Sequence, residues 1–366
     1  MTYIVDDIAK GYITGFYDSE GMVRIESNGI LTVLIHQTYK PVLERIDCVF
    51  KSTSGVTVHS KGTDGRKDAW RWRLYSDDTI QFLEFVYPNS IEKRKQIELA
   101  LKYQKEIKTS HKNNRSGGLF RLSQLEIEQR TWFKEELERL KHEKIDNQSS
   151  INYDNEIKLM KIPKDIREGK QMSLIPLNDL YKTYDIDINC INQQNNNIIE
   201  AKTINQNMSK DVNIGYLSGF FDGEEYIGIT KGKRNDYTLR IGITNSNFNI
   251  LKIFEEQFGG KIRPLSKKYK ESDKKLYQYG INHSYALKFL NQIQNCTIVK
   301  QRQIQVAIEF QEWHNQINII KTQEQKQKAE WYYNTLKELK QENGETDNSS
   351  EYEPQENENS DSLLNY

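Results

Sequence analysis

The chain has 366 residues, 36% of them hydrophobic, enough for two domains or for one pseudo-symmetric domain with extensions. Its formal net charge of zero hides a division: residues 341–366 hold eight acids and no Lys or Arg, leaving 52 basic and 44 acidic residues, net +8, in the remainder. A basic body admits a nucleic-acid partner, whereas three scattered cysteines (Cys48, Cys190, Cys296) exclude a disulfide framework or a thiolate metal site, and no apolar run reaches the ~20 residues of a membrane span.

In chain order, the first element is a helix over residues 11–21, with aromatic and apolar residues at helical spacing and a small pair, Thr14 and Gly15, at its centre. An alternating strand, Leu31–Gln37, and a helix over 42–50 follow. In the next strand, Ala69–Tyr75, alternation points Trp70, Trp72 and Leu74 one way and Arg71 and Arg73 the other. A helix opens after Lys93, and a closing helix carries Trp132, Leu137, Leu140 and Lys141. Residues 145–210 are rich in Asn and Gln and read as a polar linker or insertion.

The series then repeats. Gly11, Gly15, Phe16, Asp18 and Glu20 return as Gly215, Gly219, Phe220, Asp222 and Glu224; strand 31–37 returns as 239–245, helix 42–50 as 250–258, and strand 69–75 as 276–281. Lys93 is answered by Lys300, and Trp132 by Trp331, at a nearly constant offset. Each unit therefore reads helix, strand pair, helix, strand pair, helix, helix, an α+β half-domain. Residues 341–366 are too polar to fold alone.

A glycine inside a helix costs ~1 kcal/mol relative to alanine, so Gly15 and Gly219 need a reason. Close packing of the two motif helices about a pseudo-twofold axis supplies one. The acids that end the helices would then meet near the axis, where they would either repel and share a proton or bind divalent cations through hard oxygen ligands. Acids at the ends of an ordinary packed helix pair are the plainer alternative, which the matched repetition disfavours.

These motifs, with the strand–helix–strand pattern behind each, resemble the LAGLIDADG homing endonucleases in their double-motif, single-chain form. The resemblance covers residues 8–144 and 211–340 and leaves out the linker, 145–210, and the acidic tail, 341–366. It implies an α+β fold of two pseudo-symmetric αββαββα half-domains, with the motif helices at the central interface and the antiparallel sheets laid as a saddle in the DNA major groove. It also implies a monomeric, Mg²⁺-dependent, site-specific endonuclease that hydrolyses double-stranded DNA, leaves short 3′ overhangs and promotes mobility of an intron or free-standing reading frame. Alternatives on the same scaffold are a group I intron maturase that binds intron RNA and a DNA-binding protein impaired in catalysis. By position, the catalytic acids and metal ligands are Glu20 and Glu224, the active-site lysines Lys93 and Lys300, and the water-ordering polar residues Gln37 and Asn245. One departure stands out: the glycine that closes the motif is present as Gly21 but replaced by Glu225 in the second copy, so the second site is expected to be displaced and the two strands to be cut unequally.

DNA contacts are expected from Arg24, Arg71 and Arg73 in the first half, and from Lys231, Lys233, Arg234, Arg240, Lys261, Arg263, Lys267 and Lys268 in the second. The acidic tail reads as a solvated end, or as a DNA mimic competing for the basic saddle. The six histidines are scattered and suggest no zinc site. Residues 1–11 hold neither an apolar signal core nor an Arg-rich amphipathic stretch, and enrichment in Asn, Lys, Ile and Tyr suits an AT-rich genome. The expected location is an organelle, mitochondrion or plastid, if the chain is organelle-encoded, with bacterial or phage-host cytoplasm as the alternative.

Overall fold

The computed structural model describes residues 6–62, 67–112, 124–142, 212–224, 226–232, 236–265, 275–317, 320 and 322–343, with backbone alone at 106–112, 124–126, 224 and 343. Asp6 caps the first helix, its carboxylate accepting from the Ala9 amide at 2.7 Å, and so satisfies one of the orphan donors of the first turn. The helix, α1 (Asp7–Glu20), passes directly into β1 (Gly21–Ile25), which pairs with β2 (Leu31–Gln37). Then follow α2 (Lys40–Val49), β3 (Thr57–Ser60), β4 (Ala69–Tyr75), α3 (Ser76–Val86), α4 (Arg94–Lys112) and α5 (Gln124–His142).

The second half repeats this order as α6 (Ile214–Glu224), β5 (Tyr226–Lys231), β6 (Tyr237–Asn245), α7 (Phe248–Phe258), β7 (Lys261–Pro264), β8 (Tyr277–Asn282), α8 (His283–Ile293), α9 (Gln301–Ile317) and α10 (Gln323–Asn343). Each half holds one antiparallel four-stranded sheet, ordered β1-β2-β4-β3 and β5-β6-β8-β7. The fold class is thus the expected α+β, with one addition. The residue pattern gives two helices after the second strand pair, whereas three are present. The extra helices, α3 and α8, escape the pattern because no glycine or proline marks their start. A single non-glycine residue makes each sharp strand-to-helix turn, Ser76 at φ 48° and His283 at φ 51°. Both halves thus store the same left-handed strain at the same place.

Alternation works as the sequence indicates. One face of the first sheet buries Val23, Ile25, Val33, Ile35, Trp72 and Leu74 against the helices, and Lys40 on α2 lies over the Trp70 ring on that side. The second sheet buries Ile227, Ile229, Leu239, Ile241 and Ile243 likewise. Each half has its own apolar core, but the cores interlock: Val299 and Ile298 of the second half pack on the first core, and Ile91 of the first half packs on the second.

The last helix runs past the expected end of the second half-domain at residue 340. Helix α10 continues to Asn343, and Glu342 pairs with Arg302 at 2.7 Å, so the acidic tail starts later than residue 341; the rest of it, and the linker 145–210, lie outside the described residues. No described helix is long and apolar enough to cross a membrane.

Candidate active site

The contact between α1 and α6 is the most extensive between any two elements among the described residues. Its closeness depends on the motif glycines. A Cβ on Gly15 would lie 2.0 Å from the Tyr216 carbonyl oxygen, and one on Gly219 would lie 2.0 Å from that of Tyr12. The two backbones therefore touch reciprocally at the crossing, as the small residues predict. Thr14 and Ser218 beside them are fully buried and turn their hydroxyls inward to the carbonyls of Lys10 and Ile214, each at 2.8 Å.

The same contact brings the helix ends together. A Cβ on Gly223 would meet the Ser19 hydroxyl at 2.0 Å and Glu20 Cγ at 3.0 Å, so the residue before Glu224 touches the end of α1 that carries Glu20. At the end of β2, Gln37 spends its carbonyl on the Thr38 amide (2.7 Å) and hydroxyl (3.1 Å), which leaves its NH₂ to point at Glu20, 3.4 Å from the carboxylate. Asn245 ends β6 in the same way, its carbonyl accepting from the Asn247 amide at 2.7 Å. Glu20, Gln37 and the end of α6 are thus brought to one locus. The Glu224 side chain and Glu225 lie outside the described residues, as do Lys233, Arg234, Lys267 and Lys268.

Sequence reasoning overlooked the residues that hold the lysines. Asp18 and Asp222, two positions before the motif acids, are 1% and 0% exposed. A buried carboxylate needs several donors to offset its lost hydration, and each has them. Asp18 accepts from Ser90 Oγ (2.7 Å), the amides of Ile91 (2.7 Å) and Glu92 (2.9 Å), and the hydroxyl of Tyr216 (2.8 Å). Asp222 accepts from the amides of Ile298 (2.5 Å), Val299 (2.9 Å) and Lys300 (3.0 Å), and from the hydroxyl of Tyr12 (2.7 Å). Burial nevertheless pushes the Asp222 carboxyl above its usual range, against the lowering effect of Lys300 and the amide donors. Burial, and then the charge of Asp18, push the Tyr216 hydroxyl well up, so it stays protonated and donates.

These carboxylates fix the turns that open α4 and α9, and therefore fix Lys93 and Lys300. The Lys93 ammonium donates to the Asp18 carbonyl, and that of Lys300 lies 3.4 Å from the Asp222 carbonyl. Neither lysine is a solvated helix start: Lys300 is 2% exposed and Lys93 is half-buried. A repeated Asp at the same motif position as its partner was the signal available in the sequence.

On the face opposite the cores, strand pairing aligns Arg24 with Thr32, Leu34 with Arg73, and His36 with Arg71. Glu26 bridges Arg24 (2.8 Å) and Arg73, and these arginines hold the Glu26 carboxyl below its usual range despite partial burial, which works the other way. His36 stacks on His59 with ring centroids 4.0 Å apart. In the second sheet, Arg240 lies on this face opposite Gly228 and Asn282, while Lys261 and Arg263 are exposed on the edge strand β7. Lys231 departs from expectation. It shares a face with Ile227 and Ile229, turns to the helical side and pairs with Glu330 of α10 at 2.6 Å, because strand parity places it one residue out of step with Thr230.

No protein-family model matches this sequence, and no curated protein matches it. Among solved structures, the fold matches the LAGLIDADG meganuclease I-AabMI bound to uncleaved DNA, with 18% identity and a TM-score of 0.52 over 89% of this chain and 98% of that one. I-SmaMI bound to uncleaved DNA target in the presence of calcium ions matches with 14% identity and a TM-score of 0.53, over 90% and 98% of the two chains. The LAGLIDADG homing endonuclease I-GzeII in complex with DNA target gives 15% and 0.51, over 90% and 96%. The chain therefore has the LAGLIDADG homing endonuclease fold.

Proposed function

We propose that this chain, with the LAGLIDADG homing endonuclease fold, is a DNA endonuclease: it cuts both strands of a specific duplex site and acts as a monomer. The observation that carries this reading is the side-by-side packing of α1 and α6, which brings their C-terminal ends together, with Gln37 turned on Glu20 and both lysine turns tied to the same two helices. The neighbours I-AabMI, I-SmaMI and I-GzeII, bound to DNA, support the partner. One chain supplies both halves of the site, so no second copy is required.

Glu20 and Glu224 would hold divalent cations, Mg²⁺ in the cell. Among the described residues no three His, Cys, Asp or Glu side chains form a ready-made cage. One carboxylate from each helix, completed by phosphate oxygens of the DNA, is nevertheless a donor set that Mg²⁺ accepts, and the calcium ions present with I-SmaMI suit the same hard-oxygen chemistry. A bound cation would supply Lewis-acid polarisation of the scissile phosphate and a more acidic water. Lys93 and Lys300 would offset charge developing on the phosphates, held ready by the Asp18 and Asp222 turns. Gln37 and Asn245, their carbonyls already engaged, would orient water with their NH₂ groups. The sheet faces would grip the DNA, Arg24, Arg71, Arg73, Arg240, Lys261 and Arg263 contacting phosphates or base edges. Cleavage leaving short 3′ overhangs would serve mobility of an intron or reading frame.

The test is a plasmid library with randomised inserts of roughly 20 base pairs, about one helical turn on either side of a cut, incubated with the protein and Mg²⁺. Linearised molecules should share one sequence and carry 3′ overhangs. An unenriched, uncut library would overturn the reading, and tight binding of a folded intron RNA in a separate binding assay, with the library uncut, would favour a maturase.

A further inference from the structure

The hydroxyl that completes each buried carboxylate comes from the other half of the molecule. Tyr12 belongs to α1 yet donates to Asp222, which holds the 298–300 turn; Tyr216 belongs to α6 yet donates to Asp18, which holds the 90–92 turn. The turns themselves are seated crosswise, since Ile298 and Val299 pack on the first core and Ile91 on the second. A third link runs from Asn247, beside Asn245, to Glu92, beside Lys93, at 2.8 Å.

We infer that Tyr12 and Tyr216 are crossed positioning residues: the hydroxyl on each motif helix sets the lysine of the opposite half, so neither catalytic half is organised without the other. A buried carboxylate that loses one donor in a dry site must redistribute its remaining bonds. The amides of its own turn are the partners left to loosen. Removing the Tyr12 hydroxyl should therefore disturb Lys300 and spare Lys93, and removing that of Tyr216 should do the reverse. This inference builds on the endonuclease reading for its catalytic consequence, but its structural half stands without it.

The experiment uses the full chain carrying Tyr12→Phe or Tyr216→Phe, in two arms. Amide hydrogen exchange on the DNA-free protein should show Ile298, Val299 and Lys300 exchanging roughly tenfold faster in Tyr12→Phe while Ile91 and Glu92 hold, with the pattern exchanged in Tyr216→Phe. Loosening of both turns together, or of neither, would overturn the inference whether or not the protein cuts DNA. On the enriched target, the strand slowed most by Lys300→Met defines the second half's cut. Tyr12→Phe should slow that strand by roughly tenfold and the other by less than twofold, Tyr216→Phe the converse. Equal slowing of both strands would overturn the catalytic half of the inference. A wild type that cuts nothing would count against the endonuclease reading alone and leave the exchange arm to decide the coupling.

Discussion

The two halves are near copies where they meet and differ sharply where they open. At the interface, residue answers residue: Gly15 and Gly219, Thr14 and Ser218, Tyr12 and Tyr216, Asp18 and Asp222, Lys93 and Lys300. On the open sheet faces, strand register matches Arg24, Leu34 and Arg73 of the first half with Gly228, Gly242 and Gly280 of the second. One face carries a bridged arginine cluster; the other has three glycines at the matching positions, with Arg240 and Lys261 paired beside Gly228 and Gly280 and the Tyr226 ring against Gly228. Backbone-to-backbone packing and a buried carboxylate tolerate almost no change, whereas an open strand face can exchange any side chain for another without cost to the core. The shared part would run the chemistry, and the divergent part would choose the sequence.

The sharpest way to break this contrast is to add one carbon on each side of it. Gly15→Ala or Gly219→Ala forces a Cβ to within 2.0 Å of a carbonyl oxygen on the facing helix, and should destabilise the fold by about 3 kcal/mol or more in urea unfolding. Gly280→Ala meets nothing nearer than the Ile241 carbonyl at 3.9 Å and should change stability by less than about 1 kcal/mol. Similar losses at both places would end the distinction.

The recognition faces give the next effect. Arg73→Ala should weaken target binding by about 1–3 kcal/mol and relax base preference in one half-site only. Gly280→Arg, which places a side chain where Arg73 stands in the first half and where Gly280 leaves open space, should create a new preference in the other half-site. Selection from the randomised library reads both.

Smaller still is the strain at Ser76 and His283. Replacing either by glycine should stabilise the protein by about 1 kcal/mol, equally in the two halves, because a left-handed backbone suits a residue without a Cβ. Thermal unfolding measures it.

The least effect is on pH dependence. Burial, followed by the charges of His59, Arg71, Arg24 and Arg73, lowers the His36 pKa from 6.5 to about 4. The unfolded chain takes up this proton first, so the contribution of His36 to stability is full above pH 6.5 and is lost as pH falls from 6.5 towards 4. His36→Gln should flatten the acid side of the stability profile in that window. An unchanged profile would remove the histidine pair from the account.

Much of this was legible in the sequence because it follows local periodicity. The motif helices, strands β2 and β4, and the turn of Arg71 and Arg73 away from Trp72 all come from spacing alone. Matching the two copies aligned Glu20 with Glu224 and Lys93 with Lys300, while the roles expected of the acids, the lysines and the amides Gln37 and Asn245 are what the resemblance to the LAGLIDADG family implies. What escaped was set by three-dimensional neighbours. Asp18 and Asp222 look like ordinary acids near a helix end until a tyrosine from the other half and the amides of a distant turn surround them. Lys231 follows strand parity rather than charge, and helices α3 and α8 begin at left-handed residues that carry no glycine.

The central claim is that two acids, one from each motif helix, act as a pair. Glu20→Gln and Glu224→Gln, assayed on the enriched target with Mg²⁺ and strand-resolved products, test it most directly. The account predicts that each substitution lowers double-strand cleavage by roughly 10²-fold or more, with target binding and thermal stability retained. Cleavage of both strands at the wild-type rate by either variant would contradict it.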